Sequence, residues 1–440
     1  MKNISGYLNY IYGLERKRKK YDLKKISRLL DEIGNPHHSQ QYIHIAGTNG
    51  KGGTASFLAS ILTEHGLKTG LFTSPHILKF NERIKIDGKS IRNSYVKNFI
   101  IANLSLIKKI NASFFEINTA LALKYFKDKH TDVAVIETGL GGRLDATNVV
   151  QPALSIITQL GIEHTDFLGH TLKKIAKEKF GIVKPGVDVI VSDDHPELYR
   201  LLLNRAERDR ISILDEHVRI FNISLLHQMS RFSVFFKDYD LKLRLKSPLP
   251  GDYQIRNAAT AILGAMKYLS ESNIKFNISK AKRGIKRVIT NTGYHGRFES
   301  IRVNGICYIL DVGHNPEAIK NSLGNFGKTK ADIIIFALMK DKDYRSSVTE
   351  LIKYSDRIIF TMPASKRAQN PRVLFDFAVK TSKLKHNYPV KKQYFCVNHV
   401  HEAVELSKNL AENKGRILVI GSFFLVAEVI RALKLQAMFQ

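Results

Sequence analysis

The 440-residue chain has no tryptophan and only two cysteines, Cys307 and Cys396. Two thiols cannot build a disulfide framework and fit a reducing compartment, so a cytoplasmic protein is expected. No stretch approaches the roughly 18 unbroken apolar residues of a membrane helix. The opening MKNISGYLNYIYGLERKRKK shows no apolar core followed by a cleavage site, so no secretory signal is read there. Acidic residues are also scarce: 40 Asp and Glu face 69 Lys and Arg, for a formal net charge of +29. Such a balance raises nucleic acid or an anionic membrane as a partner. The lysines, however, are spread through ERKRKK, LKKIAKEK and KRGIKRV alike, and no stretch interleaves basic and aromatic residues in the way that stacks bases. A solvated basic surface accounts for the charge and suits an anionic small-molecule substrate.

What is present reads as α/β. YIHIAG runs into a glycine loop and then TASFLASILTEHG, an amphipathic helix closed by Gly66. KTGLFTS, DVAVIETG and ALSIITQLG read as further strands, with SFFEINTALALKYFKDK and TLKKIAKEKFGIV as helices between or after them. From Arg219 to Lys246 strict alternation, as in RFSVFFKDYDLKLRL, predicts a hairpin or meander. The pattern breaks in KRVITNTGYHGRFE, the expected domain junction, and a second series follows in ICYILDVGHNPEAI, ADIIIFALMKDKD, DRIIFTMPA and RILVIGSFFLVAEVIRAL.

The chemistry begins at IAGTNGKGGTAS. A strand, a Gly-x-x-Gly-Lys turn and a helix place backbone N–H groups and a helix N-terminus around an anion, with Lys51 to neutralise phosphate. The usual loop puts Ser or Thr straight after the lysine to reach magnesium; here Gly52 and Gly53 follow it. Thr54 and Ser74 are the candidates for the missing hydroxyl. Loops at the carboxyl ends of parallel strands converge on a ligand crevice. Glu137 and His164 end two further strands and are expected to face it with Ser74.

HIAGTNGKG, FTSPHI, FFEINTALA, ETGLGGRLDATN, GIEHTDFLG, EKFGIVKPG, RNAATAI, GRFE, LDVGHNP, MKDKD and GSFFLVAE, in this order across nearly the whole chain, resemble the folylpolyglutamate synthase/dihydrofolate synthase family. That family is a branch of the Mur-type ATP-dependent ligases, and LDATN is more similar to its bacterial bifunctional form. The resemblance implies a P-loop-containing, mostly parallel-sheet ATPase domain over residues 1–290 that binds ATP and the pterin. A smaller Rossmann-like α/β glutamate-ligase domain over 291–440 would close over the cleft.

It also implies a set of site residues. Thr48, Asn49, Gly50, Lys51 and Gly52, with Asn257, Arg297 and Asp311, would bind ATP. Ser74, Glu137 and His164 would hold magnesium, two ions in all. Phe114, Phe115, Glu116, Leu144, Asp145 and Ala146 would meet the pterin. Lys179 would be carbamoylated and, with Lys51, His164 and His314, would serve catalysis; sequence alone makes Lys179 one surface lysine among many. Gly53 departs from the Ser or Thr of the family. The implied reaction joins L-glutamate to dihydropteroate or a reduced folate at the expense of ATP, by a monomer without nucleic-acid or membrane partners. The alternatives are a nucleic-acid-stimulated P-loop ATPase, favoured by the charge, and a related ligase for cell-wall precursors.

Overall fold

The computed structural model describes residues 4–14, 22–38, 40–193, 195–226, 228–326, 330–384, 392–412 and 414–439. The ERKRKK run at 15–20 lies outside them. Two compact units emerge: residues 1–223, 232–246 and 254–292 form one, and 224–231, 247–253 and 293–440 the other.

The first unit is built on eight strands: β1 (Gln41–Ala46), β2 (Thr69–Phe72), β3 (Ile84–Ile86), β4 (Lys89–Ser90), β5 (Val133–Glu137), β6 (Leu154–Ile157), β7 (Asp188–Val191) and β8 (Ile211–Ile213). They lie in the order β4-β3-β2-β5-β1-β6-β7-β8. The run from β2 to β8 is parallel, and the β3–β4 hairpin adds antiparallel strands at one edge. Every residue of β5 and all but the first of β1 are buried, as expected of central strands covered on both faces. The chain leaves β1 toward β2 and β5 on one side and returns to β6 on the other. The carboxyl end of β1 is therefore the switch point at which open parallel sheets bind ligands.

Register fixes the levels of the strand tips. Ile45 pairs with Glu137, and Ala46 with Ile157. The tips bearing Ser74 (β2), Glu137 (β5), the phosphate loop (β1) and His164 (β6) thus belong to four neighbouring strands.

The Arg219–Lys246 alternation forms β9 (Val218–Leu226), β10 (Met229–Phe236) and β11 (Leu241–Ser247), a three-stranded sheet. The second unit holds β12 (Glu299–Val303), β13 (Ile306–Asp311), β14 (Ile333–Phe336), β15 (Arg357–Phe360), β16 (Gln393–Cys396) and β17 (Arg416–Ile420), in the order β12-β13-β17-β14-β15-β16. All pairings there are parallel except β12 with β13. Asp311 and Phe336 both stand level with Ile420, at the carboxyl ends. No helix among the described residues is long and apolar enough to cross a membrane, and both cysteines are free.

Candidate functional site

The phosphate loop exists because two glycines accept backbone that other residues resist. Gly47 has φ +153° and Gly50 φ +88°. A side chain on Gly47 would collide with Thr158, and one on Gly50 would come 2.5 Å from Asn257 Oδ1. The N–H groups of Thr48 and Asn49 donate to the carbonyl of Gln159 at 2.8 and 3.2 Å, which pins the loop to the end of β6. The Thr48 hydroxyl donates to the Gly161 carbonyl and accepts the Gly161 N–H, both at 3.0 Å. Thr54 N–H is the first in the following helix (Lys51–Glu64) to bond back, to the Gly50 carbonyl at 2.9 Å. The N–H groups of Gly50 to Gly53 therefore have no intrahelical acceptor and form the anion-facing end.

Two lysines meet behind this loop. Lys51 Nζ donates to the carbonyls of Gly47 and Thr48 at 3.0 and 3.1 Å. Lys179 Nζ donates to the same Gly47 carbonyl at 2.6 Å and is only 3% exposed. Burial, reinforced by repulsion from Lys51 and partly offset by Glu163 and Asp145, lowers the Lys179 pKa to about 7. The surface role that sequence alone suggests for Lys179 is thereby corrected.

The missing hydroxyl is resolved sterically. A side chain on Gly53 would lie 2.7 Å from Asn257 Nδ2 and 3.0 Å from Gln254 Oε1. The Thr54 hydroxyl is fully buried and donates to Asn257 Oδ1 at 3.4 Å, while Asn257 Nδ2 donates to Gln254 Oε1 at 3.1 Å. Amides thus fill the place of a loop hydroxyl, and Thr54 braces Asn257 instead of facing a ligand. At the neighbouring tip, Ser74 N–H donates to Glu137 Oε2 at 3.0 Å, bringing those two residues together. His164 takes a left-handed conformation (φ +51°), with Nε2 3.3 Å from the Glu163 carboxylate. Ser74 and Glu137 supply oxygen donors and His164 a nitrogen. Among the described residues, no group of three or more His, Cys, Asp or Glu is arranged to hold a metal. Such a sparse donor set fits magnesium, which keeps waters and phosphate oxygens around itself.

The expected pterin residues separate into two kinds. Glu116 is fully buried and caps its own helix: its Oε2 accepts Ser113 N–H at 2.7 Å. Asp145 is 4% exposed. Its Oδ2 accepts the N–H groups of Gly139 and Leu140 at 3.0 and 2.8 Å, and its Oδ1 those of Thr147, backbone at 3.0 Å and hydroxyl at 2.6 Å. Burial raises its pKa against the pull of these donors. Both carboxylates shape the backbone around them. Phe114 is core, packed with Tyr12 and Phe80 beneath the Arg83 guanidinium. Ala146 is buried too. Phe115, half-buried and lying against Gly139, and the half-buried Leu144 remain as surfaces a flat ring can meet.

In the second unit Asp311 is 3% exposed, its Oδ1 accepting Gly313 N–H at 2.7 Å and its Oδ2 the Ser322 hydroxyl at 2.6 Å. Burial raises its pKa, opposed by those donors and by Arg297. The Arg297 guanidinium lies 5.1 Å from the Tyr294 ring and 5.2 Å from that of Phe423. His314 Nδ1–H donates to the Val312 carbonyl at 3.0 Å, and its ring also faces Phe423, at 6.0 Å. The structure thus gathers Arg297, Asp311 and His314 on one sheet edge. Gln159 and Gln254 have no motif of their own, and Glu163 stands unmarked inside GIEHTDFLG beside His164. For Gln159 and Glu163 the signal is position past a parallel strand; Gln254 leaves none.

A glycine phosphate loop at a parallel-sheet switch point, backed by two lysines and followed by a second α/β unit, defines a Mur-type ligase. Residues 45–265 match the Mur ligase middle domain, and residues 296–423 the Mur ligase, glutamate ligase domain. The folylpolyglutamate synthase of Lacticaseibacillus casei is 33% identical over 379 residues, covering 83% of this chain and 87% of that protein. The dihydrofolate synthase/folylpolyglutamate synthase of Bacillus subtilis is 31% identical over 438 residues, 97% of this chain and 98% of that one. The structure of E. coli FolC in complex with DHPP and ADP superposes with a TM-score of 0.82 at 25% identity, covering 99% of both chains. The chain belongs to the folylpolyglutamate synthase/dihydrofolate synthase family.

Proposed function

We propose that this chain is an ATP-dependent ligase that joins the amine of L-glutamate to the carboxylate of dihydropteroate or of a reduced folate. One observation carries the reading: β2, β5, β1 and β6 are neighbours, Ser74 N–H bonds Glu137 past two of their ends, and the segment from β6 toward His164 is tied to the Lys51 loop through Thr48 and Gly161. The substrate carboxylate attacks the γ-phosphorus and ADP leaves, giving an acyl phosphate. The glutamate amine then adds to the acyl carbon, and the tetrahedral intermediate expels phosphate and loses a proton. Two anions must meet in the first step, so neutralisation and positioning carry the catalysis. Lys51 and the N–H groups of the first helical turn hold the phosphates. Asn257 stands over the same turn and is the nucleotide contact proposed within the first unit; Arg297 and Asp311 are those proposed within the second. Ser74, Glu137 and His164 would hold magnesium, which when bound screens phosphate charge.

Lys179 supports the same reading. A buried amine with a pKa of about 7 has a substantial neutral fraction near neutral pH, so its lone pair can add to CO2. The N–C bond forms as one C=O π bond opens to a carboxylate, and nitrogen loses a proton to solvent. The carbamate removes the repulsion between two lysines that share one carbonyl. Phe115, Leu144 and the loop that Asp145 shapes are the pterin-facing elements. His314 orders the edge that carries Asp311. The second unit would take glutamate, in a cytoplasmic monomer whose basic surface has no nucleic-acid role.

The test is ADP release with ATP, magnesium and glutamate, comparing dihydropteroate, tetrahydrofolate, a cell-wall precursor acid and RNA. Turnover with a pterin acid that requires glutamate is expected. Stimulation by RNA alone, or by the cell-wall acid alone, would overturn the reading.

A further inference from the structure

His44 lies on β1 three residues before Gly47, fully buried, and the ATP-handling groups make no use of it. Its Nε2 is 2.8 Å from Thr147 Oγ1. Thr147 has one hydroxyl proton and gives it to Asp145 Oδ1, so its oxygen must accept from the imidazole. Burial, with a smaller push from Lys184, lowers the His44 pKa to about 3, which leaves a neutral ring with its proton on Nε2. Nδ1 has no hydrogen-bond partner among the described residues. A relay of donors results: His44 to Thr147, Thr147 to Asp145, and from the far side Gly139 and Leu140 to the same carboxylate.

The relay joins two parts of the site that differ in job. β1 leads directly into the phosphate loop. The segment from Gly139 to Ala146 follows Glu137 and offers Leu144 and, through Gly139, the seat of Phe115. The Thr138 N–H to Ile45 carbonyl bond, 2.9 Å, fixes where that segment starts, and its far part is held by backbone bonds from Arg143 N–H to the Glu178 carbonyl at 2.7 Å and from Asp145 N–H to the Gly142 carbonyl at 3.1 Å. The N–H groups of Gly139 and Leu140 at its near end are collected by the Asp145 carboxylate, and His44 and Thr147 aim that carboxylate.

We infer that His44 is a positioning residue for the acceptor: a neutral imidazole that, through Thr147 and Asp145, sets the pterin-facing loop against the strand carrying the phosphate loop. This rests on the reading that the loop meets the pterin acid. The distinguishing expectation is selectivity, because a bond that merely stabilised the fold would weaken both substrates or neither.

The experiment uses the full chain, with His44→Leu, His44→Gln, Thr147→Val, Thr147→Ser and the Leu/Val double variant, in the ADP-release assay with whichever pterin acid supports turnover. His44→Leu is expected to raise the acceptor KM about tenfold, the loss of one buried hydrogen bond, with the ATP KM changed by less than about twofold. His44→Gln, which keeps an N–H donor, should recover most of that loss. In the Thr147→Val background His44→Leu should add little, since the relay is already cut. If the leucine variant does not fold, Thr147→Val against Thr147→Ser makes the same comparison. Equal losses for ATP and acceptor, a change in Tm alone, a glutamine variant as impaired as leucine, or additive effects would each overturn the inference. An unmodified chain without acceptor-dependent turnover would strike the proposed function first, and this inference with it.

Discussion

In the first unit two lysine side chains share the Gly47 carbonyl, one of them 3% exposed. In the second, the Arg297 guanidinium rests between two aromatic rings, and Asp311 has its oxygens filled by a backbone N–H and a hydroxyl. Both units present these groups at the carboxyl ends of parallel strands, yet they treat charge differently. The phosphate-loop edge keeps positive charge crowded until an anion arrives. The second edge holds its charged groups by stacking and hydrogen bonds that ask nothing of a ligand. Crowded charge answers to substrate and pH, whereas braced charge answers to geometry.

The contrast breaks hardest at Lys51. Lys51→Met should lower kcat/KM by about 10²–10³, the scale of losing a preorganised cation from a developing phosphoryl charge, with little change in Tm. A loss under about fivefold would show that the crowding has no catalytic purpose.

Lys179 comes next. Protein freed of CO2 should lose most of its activity, about tenfold or more, and regain it with bicarbonate, at a rate that climbs as pH rises through about 7. Lys179→Met should be low throughout and deaf to bicarbonate. Its folded pKa lies below that of a free lysine, so between about 7 and 10 the unfolded chain binds more protons. Stability of the unmodified protein should therefore rise with pH across that window, and urea titrations should show the slope flattened in Lys179→Met.

Gly53→Ser tests crowding of another kind. The new side chain must displace the Asn257 and Gln254 amides, costing about 1–3 kcal/mol and raising the KM for ATP, not for the acceptor. Arg297→Lys should show the smallest effect. It keeps the charge but loses the planar stack, for about 1 kcal/mol in ATP binding, measured by calorimetry. Loss as large as that of Lys51→Met would erase the distinction between the two edges.

The phosphate turn was legible because strand, loop and helix alternate with clear punctuation: Gly47, Gly50 and Lys51 announce it. Ser74 and Glu137 stand just past and at strand ends as expected, whereas His164, expected at a strand end, lies seven residues past β6 and stands at the N-cap of a short helix. That Asp145 and Glu116 bind backbone N–H groups was not legible, because a carboxylate in a promising motif looks the same in sequence whatever hydrogen bonds it makes. The β3–β4 hairpin went unread, since its strands are two or three residues long and too short for a period to show.

By itself the sequence determined the alternating α/β plan, the two-part chain and the phosphate loop, since hydrophobic period and glycine placement are local properties. Only the tertiary structure decided that Lys179 is buried against a carbonyl 132 residues away, that Gly53 lies beneath the Asn257 and Gln254 amides, and that His44 addresses Thr147. Each of those depends on which distant side chain packs overhead, and burial, which moves a pKa or closes a gap, is a property of the assembled interior.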